Sequence, residues 1–266
     1  MFGPVLAIAL ASAASATVVE RIYPSGNALP ANQLKLYIEF SAPMARGDAY
    51  RHIRLIDDRG RKVEHAFLEL DEELWDAEQR RFTLLFDPGR VKRDLAPNVE
   101  DGAPLESGRR YRLVISAAWP DAQLRPLDAD VTKEFTVAAP DRLSPDPSNW
   151  TLSAPKAHST DPLTVEFHEA LDYRLLQRTL HVLDGAGKKI SGSVRIDNHE
   201  TRWRFTPTQR WRAGEYRLSI DSSLEDLAGN RIGRLFEVDT RASPDEANRP
   251  VPPSVSLGFE IAEHRP

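Results

Sequence analysis

Cysteine is missing from the sequence. Its absence excludes disulfide bonds, thiolate metal sites, a cysteine nucleophile and a lipid-modified N-terminal cysteine. The 266 residues must therefore be held together by burial of apolar side chains, and hydrophobic residues make up 41% of the chain. That share suffices for ordinary hydrophobic cores and is too high for a disordered chain.

An excess of basic residues is missing as well. Lysine and arginine number 35 against 40 aspartates and glutamates, which leaves a formal net charge of −5 with both signs interspersed. A general nucleic-acid binder needs a basic face, so we expect no nucleic-acid partner. Beyond the N-terminus no segment is long and apolar enough to cross a bilayer, so we expect no membrane span.

Known catalytic motifs are also absent. The sequence contains no G-x-S-x-G, P-loop, H-E-x-x-H or G-x-G-x-x-G pattern. His168, His181 and His199 lack the spacing of metal ligands, and a closed metal site needs convergent ligands. The sequence therefore predicts a protein without catalytic residues, metal or cofactor.

The N-terminus reads MFGPVLAIALASAASA. Residues 5–11 form an apolar run that is too short to span a bilayer, and Ala14, Ser15 and Ala16 match an A-x-A cleavage site. We expect residues 1–16 to be a signal peptide cut after Ala16, and the mature protein to be periplasmic or extracellular. No Lys or Arg precedes the run, and a buried N-terminal strand or helix is the alternative.

An internal repeat organises the rest of the chain. Each copy contains short segments of alternating polarity separated by turn residues, which is typical of antiparallel strands. In each copy a tyrosine, Tyr111 or Tyr216, follows a glycine closely and begins a strand, so we expect it to hydrogen-bond upstream backbone. The paired segments, in order, are LKLYIEFSAPM (34–44) with PLTVEFHEAL (162–171), IRLIDDRGRKV (53–63) with LHVLDGAGKKI (180–190), RRFTLLFDP (80–88) with ETRWRFTP (200–207), SGRRYRLVIS (107–116) with AGEYRLSID (213–221), and KEFTV (133–137) with LFEVD (235–239).

These segments, together with the D-L-A-G-N stretch at residues 226–230, resemble the bacterial Ig-like domain of surface-layer and other exported proteins, often called the SbsA Ig-like domain. The second copy matches closely, whereas the first departs in its loops. The resemblance implies β-sandwich modules that act as spacers, adhesive elements or binding parts. It transfers no catalytic residue, and such a fold by itself says little about function.

The predicted fold class is all-β, with two tandem immunoglobulin-like antiparallel β-sandwiches, a Pro-rich linker and a C-terminal tail strand. After the signal peptide we expect a first domain at 17–138, with loop insertions at 64–79 and 88–107. The linker is placed at 139–150, the second domain at 151–240, and the Pro-rich tail at 241–266. The terminal strand, residues 255–262, has two possible positions: it folds back on its own chain or adds to a partner's sheet.

Candidate binding residues lie in the loops, where function usually sits on a rigid sandwich. The insertion at 88–107 carries Arg90, Lys92 and Arg93, and we expect it either to contact a partner or ligand or to form a Pro-stiffened surface cover. The acidic segment 69–78 surrounds Trp75; it is either a solvated loop with the tryptophan packed on the sandwich or a calcium ligand set. Trp119 and Trp211 are positioned either to stack on sugars or to cap a core end.

The segment LEDLAGNRIG (224–233) raises a specific question, because Asp and Asn oxygens suit calcium but also make tight turns. An ungapped pairing of residues 113–127 with 218–232 sets Asp121 opposite Asp226 and Leu124 opposite Gly229. One aspartate persists while Asn230, the other proposed ligand, is replaced by Arg125. This pattern predicts a loop joining the last two strands, with calcium binding in the second copy alone as the alternative.

The sequence as a whole therefore favours a non-enzymatic exported protein that acts as a structural, spacer or protein-binding module in the cell envelope or outside the cell. The alternative is a carbohydrate- or polymer-binding module that uses the loop tryptophans. The expected partners are accordingly another envelope or extracellular protein, or a polysaccharide.

Overall fold

The computed structural model describes residues 16–237 and 250–263. The apolar run of the predicted signal peptide and much of the Pro-rich tail lie outside the described residues. Helices in the described part are at most six residues long, and none of them is long and apolar enough to cross a membrane. The helical turns are α1 (Pro88–Val91), α2 (Ala96–Asp101) and α3 (Tyr173–Leu176), with 3-10 turns at Ala49–His52 and Pro147–Asn149.

Residues 16–138, here called the N-terminal sandwich, form two sheets. One sheet has the strand order β1-β3-β5 and the other the order β2-β7-β6-β4. Neighbouring strands are antiparallel, except that β2 pairs with β7 in parallel. The strands are β1 (Val19–Tyr23), β2 (Ala28–Pro30), β3 (Lys35–Phe40), β4 (Ile53–Asp57), β5 (Arg81–Leu85), β6 (Arg110–Ile115) and β7 (Val131–Ala138).

The described residues from 151 onward, here called the C-terminal sandwich, also form two antiparallel sheets. Their strand orders are β11-β12-β9-β8 and β10-β13-β14. The strands are β8 (Thr151–Ser153), β9 (Leu163–Glu166), β10 (Leu180–Asp184), β11 (Gly192–Asp197), β12 (Arg202–Pro207), β13 (Gly214–Asp221) and β14 (Ser254–Ile261).

Each sandwich encloses its own hydrophobic core, because alternate side chains of a strand point to the same face. In β3 the core side is formed by Leu36, Ile38 and Phe40, which are at most 2% exposed. Trp119 and Trp203 are completely buried, one in each core. The predicted all-β sandwich fold is confirmed.

Both predicted tyrosine contacts are present. The hydroxyl of Tyr111 accepts a hydrogen bond from the backbone N–H of Glu106 at 3.1 Å. The hydroxyl of Tyr216 donates to the carbonyl oxygen of Arg212 at 3.0 Å. Each bond ties the start of a strand to the loop before it, as in the tyrosine corner of immunoglobulin-like sandwiches.

The last strand of the C-terminal sandwich differs from the one expected from the repeat. Residues 235–239 were expected to correspond to β7, but 235–237 form no strand, and the last two positions lie outside the described residues. Instead β14 pairs with β13 along its full length. Phe259 stacks on Tyr216 with ring centroids 5.5 Å apart, as Phe135 does on Tyr111 at 6.0 Å. The tail strand therefore completes a sheet of its own chain.

Candidate functional site: the junction between the sandwiches

The two sandwiches meet through a polar junction. The N-terminal sandwich contributes the side of β1 and β3 that faces away from its core. The C-terminal sandwich contributes α3, residues 198–200 and the loop after β13, which all lie at one end of the sandwich because they follow β9, β11 and β13. Side chains, a stacked ring pair and a glycine turn form the contacts.

An ion triad lies at the centre of the junction. Lys35 Nζ is 3.1 Å from Asp172 Oδ2 and 2.6 Å from Glu225 Oε2. The hydroxyl of Tyr37 donates to Asp172 Oδ2 at 2.8 Å. Burial by itself lowers the pKa of Lys35, but the two carboxylates raise it above the usual value. Burial and the charge of Asp172 together raise the pKa of Tyr37, so the hydroxyl stays a donor. Because Asp172 also caps α3, the triad holds that turn against β3.

A second group of contacts lies near the end of β1. Tyr23 and Tyr173 stack with their ring centroids 3.5 Å apart. Glu200 is 2% exposed and accepts a hydrogen bond from the backbone N–H of Ser25 at 2.9 Å, and burial raises the pKa of its carboxyl. Residues 198, 199 and 200 have φ values of 52°, 55° and 62°. Non-glycine residues disfavour this left-handed region, so the surrounding contacts must hold the turn in place.

The D-L-A-G-N segment forms the predicted turn. Asp226 Oδ1 accepts from the backbone N–H groups of Ala228 and Asn230 at 2.8 and 2.9 Å. Asp121 Oδ1 accepts the same two bonds in the other copy, from the backbone N–H groups two and four residues later, Gln123 and Arg125, at 2.8 and 3.0 Å. The aspartates thus organise their own loops by side-chain to backbone bonds, as a tight turn requires.

Gly229 shows why this turn serves the junction. It has a φ of +83°, and a Cβ atom there would lie 2.5 Å from Leu34 Cδ2 of the N-terminal sandwich. The corresponding Leu124 also has a positive φ, 61°, but its side chain is 79% exposed. Leu124 shows that the turn accepts a side chain in this backbone conformation, whereas a side chain at residue 229 would force Leu34 to shift.

The connector between the sandwiches is fixed at Asp141. Its backbone N–H donates to Asn32 Oδ1 at 2.8 Å, and its carbonyl oxygen accepts from Asn32 Nδ2 at 2.6 Å. The same carbonyl oxygen accepts from Asn230 Nδ2 at 3.3 Å. These bonds join the connector to both sandwiches.

Three carboxylates converge beside this connector. Oxygen atoms of Asp141, Glu169 and Asp226 lie within 4.8 Å of one another. Burial, with the neighbouring charges of Asp226 and Asp141, raises the pKa of Glu169 to about 8. Burial also raises the pKa of Asp226 to about 7, against the hydrogen bonds from Asn230. Such a trio can hold shared protons or a hard cation, since its donors are all oxygens.

The carboxylate trio makes a specific pH dependence expected. Because the folded-state pKa values of Glu169 and Asp226 are raised, the trio's contribution to stability is complete below about pH 4 and is lost as the pH rises through about 7 to 8. Melting temperatures measured from pH 5 to 8.5 should therefore fall for the wild type, and Glu169→Gln should flatten the slope. The exposed Glu134→Gln is the control; equal slopes in all three proteins would contradict the expectation.

The basic residues of the 88–107 insertion contact their own chain. The guanidinium group of Arg90 is buried, donating to the carbonyl oxygens of Glu64, His65, Asp101 and Gly102. Lys92 Nζ lies 4.2 Å from the ring centre of Phe236, and Arg93 Nε is 2.9 Å from Glu237 Oε1. The expectation that this basic segment receives a partner is corrected for Arg90, which is internal. Lys92 and Arg93 join the insertion to the C-terminal sandwich.

The three candidate tryptophans also have internal roles. Trp119 is completely buried, and Trp211 is 2% exposed with its Nε1–H donating to the carbonyl oxygen of Asp161. Neither ring has a free face for a sugar, which corrects the stacking hypothesis for both. Trp75 is partly exposed and donates to Glu73 Oε2, while its ring packs near Phe82. It therefore packs on the sandwich, as the first of its two interpretations expected.

The residues that build the junction were not identified from the sequence. Lys35 and Tyr37 lie on the face of β3 opposite its core residues, a face that alternation assigns to solvent. Asp172 precedes a helical turn, where an aspartate is an ordinary N-cap. Tyr37 was the one local sign of a covered surface, because it places an aromatic side chain on the outward face of β3.

Comparison with known proteins supports the fold of the second half. A family model described as a bacterial Ig-like domain matches residues 142–240. Among solved structures, surface layer protein SbsC, domains 1–6, is 15% identical over 78% of this chain and 24% of that chain, with a TM-score of 0.32. The MG0-NIE-MG1 region of native alpha-2-macroglobulin from Escherichia coli is 12% identical over 92% of this chain and 71% of that chain, with a TM-score of 0.30.

This chain spans about a quarter of the SbsC structure that it resembles. No curated protein matches the chain. The region matched by the family model is therefore similar to a bacterial Ig-like domain, and the other comparisons assign neither a partner nor an activity.

Proposed function

We propose that this protein is a non-enzymatic exported module of the cell envelope or the extracellular space, in which two β-sandwiches are held in a fixed orientation. It acts as a structural spacer or as a protein-binding element. The observation that carries this proposal is the junction: a buried ion triad, a stacked tyrosine pair and a glycine turn replace a free hinge. Such polar, hydrogen-bonded contacts define one relative orientation, since each is lost if a sandwich rotates.

The absence of cysteine allows a direct test of this rigidity, because two introduced cysteines can be spin-labelled without background. Labels at Ala129→Cys and Ala186→Cys, both exposed positions, report on the distance between the sandwiches. We expect a single narrow distance distribution in the wild type. Gly229→Leu should broaden it and lower the melting temperature, because the new side chain meets Leu34.

The matched control for that substitution is Leu124→Gly in the corresponding turn of the N-terminal sandwich. Its side chain is exposed, so the distance distribution should stay narrow. A broad distribution in the otherwise unaltered protein would contradict a fixed spacer, whatever the variants do.

A further inference from the structure

A groove opens at the end of the C-terminal sandwich that is remote from the junction. It lies between the turn after β10 and the loop between β12 and β13, and has a volume of about 590 Å³. Because β10 is antiparallel to β13 and β12 is antiparallel to β9, these loops lie opposite the junction end. The groove therefore faces away from the N-terminal sandwich.

Four exposed basic side chains surround this groove: Lys188 and Lys189 on one wall, and Arg210 and Arg212 on the other. None of them forms an ion pair within the described residues. The lining carboxylates are Asp184, whose Oδ1 is bonded to backbone N–H groups, and the exposed Glu215. In a chain of net charge −5, this end is locally cationic.

The corresponding end of the N-terminal sandwich shows what a neutralised version looks like. There Arg109 pairs with Asp57, Asp58 and Glu106, at 3.0, 2.5 and 2.7 Å. Arg61, at the position of Lys188, pairs with Asp57 at 3.0 Å. The 88–107 insertion begins at the corresponding loop and places Arg90 against the backbone of Glu64. The C-terminal sandwich has a short loop at this place, and among the residues that the structure describes none forms an ion pair with the cations of the groove.

The other groups of the groove restrict the kind of anion. The rings of Trp211 and Tyr216 are buried, so no aromatic face is available to stack a nucleic-acid base. The walls present hydroxyl and amide groups, from Ser191, Thr208 and Gln209, beside small residues and Ile190. Such a surface suits a hydroxyl-rich chain that carries spaced negative charges.

From this groove we propose that the far end of the C-terminal sandwich binds an anionic carbohydrate polymer, one bearing carboxylate or phosphate groups on its sugar units. The cations of the two walls pair with successive anionic groups, and Ser191, Thr208 and Gln209 hydrogen-bond the sugar hydroxyls. This assignment rests on the proposed role as an envelope or extracellular module. It names the partner of that module, whereas the fixed orientation is tested separately by the label distances.

The test measures binding of the full chain to polygalacturonate, with neutral dextran and poly-glutamate as comparison polymers, at low and at physiological salt. We expect polygalacturonate to bind, neutral dextran not to bind, and affinity to fall with salt because exposed charges are screened. Changing all four groove cations to glutamine should weaken binding about tenfold or more, at the usual strength of exposed ion pairs. The double variants of either wall should each have an intermediate effect.

The matched control removes four exposed arginines from the N-terminal sandwich, with Arg51, Arg54, Arg110 and Arg112 changed to glutamine. Binding should be unchanged in this control, which distinguishes an effect of the groove cations from an effect of the net charge of the chain. An equal loss in this control, or no loss in the groove variant, would overturn the proposal. So would poly-glutamate binding as tightly as polygalacturonate, because the groove would then be a site for acidic protein segments. Measuring binding to polymers that carry phosphate in place of carboxylate distinguishes which of the two anionic groups the groove prefers.

Discussion

Deletion of residues 250–266 is expected to unfold the C-terminal sandwich and to leave a melting transition for the N-terminal one. The deletion removes β14, which pairs with β13 at eight positions from Ser254 to Ile261. Burial of one large apolar side chain stabilises a fold by about 1.5–3 kcal/mol. Val255, Leu257, Phe259 and Ile261 all pack on this core, and a domain is stable by only about 5–15 kcal/mol in total. Calorimetry of the deleted and intact chains measures the effect.

Two single substitutions sharpen this expectation. Phe259→Ser should destabilise the C-terminal sandwich strongly, because its ring stacks on Tyr216. Phe236→Ser should have a small effect, since that partly exposed ring contacts Lys92 at the edge of the junction. The reverse order would mean that the segment beginning at residue 235 forms the last strand, as the repeat alone suggested.

The second large effect concerns Lys35. Its replacement by methionine leaves Asp172, whose side chain is only 2% exposed, without its cation, whereas Glu225 keeps an ion pair with Arg231 at 2.9 Å. Breaking a buried ion pair from one side costs about 3–5 kcal/mol, because the remaining charge is uncompensated. We expect the melting temperature to fall by about 6–20 °C, at roughly 2–4 °C per kcal/mol for a chain of this size. Urea titration of both proteins gives the free energy directly.

A double variant distinguishes charge burial from lost packing. Lys35→Met combined with Asp172→Asn removes both charges of the broken pair, asparagine can still cap α3, and Glu225 keeps its partner Arg231. This protein should regain much of the stability that the single variant loses. If it is as unstable as Lys35→Met alone, the loss comes from the packing of the lysine stem and not from the uncompensated charge of Asp172.

Local patterns predicted the sandwiches well. Alternation placed Leu36, Ile38 and Phe40 in the core, and the glycine-tyrosine spacing predicted both hydroxyl bonds. Asp226 has a counterpart in Asp121 while Asn230 has none, and this difference favoured a turn over a set of calcium ligands. These features depend on neighbours in sequence or on one face of one strand, so a single sequence contains the information.

The junction and the last strand were beyond such patterns. Lys35 meets Asp172 and Glu225 across a long separation in sequence, and each reads locally as a solvent-facing charge. Phe236 and Phe259 each stand before a glutamate and a β-branched residue, so alternation alone gives no reason to prefer either segment as the final strand. Which of the two segments forms the final strand depends on the contact with Tyr216 and on the length of chain that follows β13. For Trp119 and Trp211 the sequence left sugar stacking and core capping open, because a loop position does not reveal which way a large ring turns.

The position of β14 also sets an order in time. All strands of the N-terminal sandwich have been synthesised once the chain reaches residue 138, because the last of them, β7, ends there and pairs with β2 and β6. The C-terminal sandwich must wait for Ile261, and until then the edge of β13 and the ring of Tyr216 have no partner from the tail. An unpaired strand edge is open to addition by another chain. During synthesis this half of the molecule is therefore the later to mature and the one most in need of protection from misassembly.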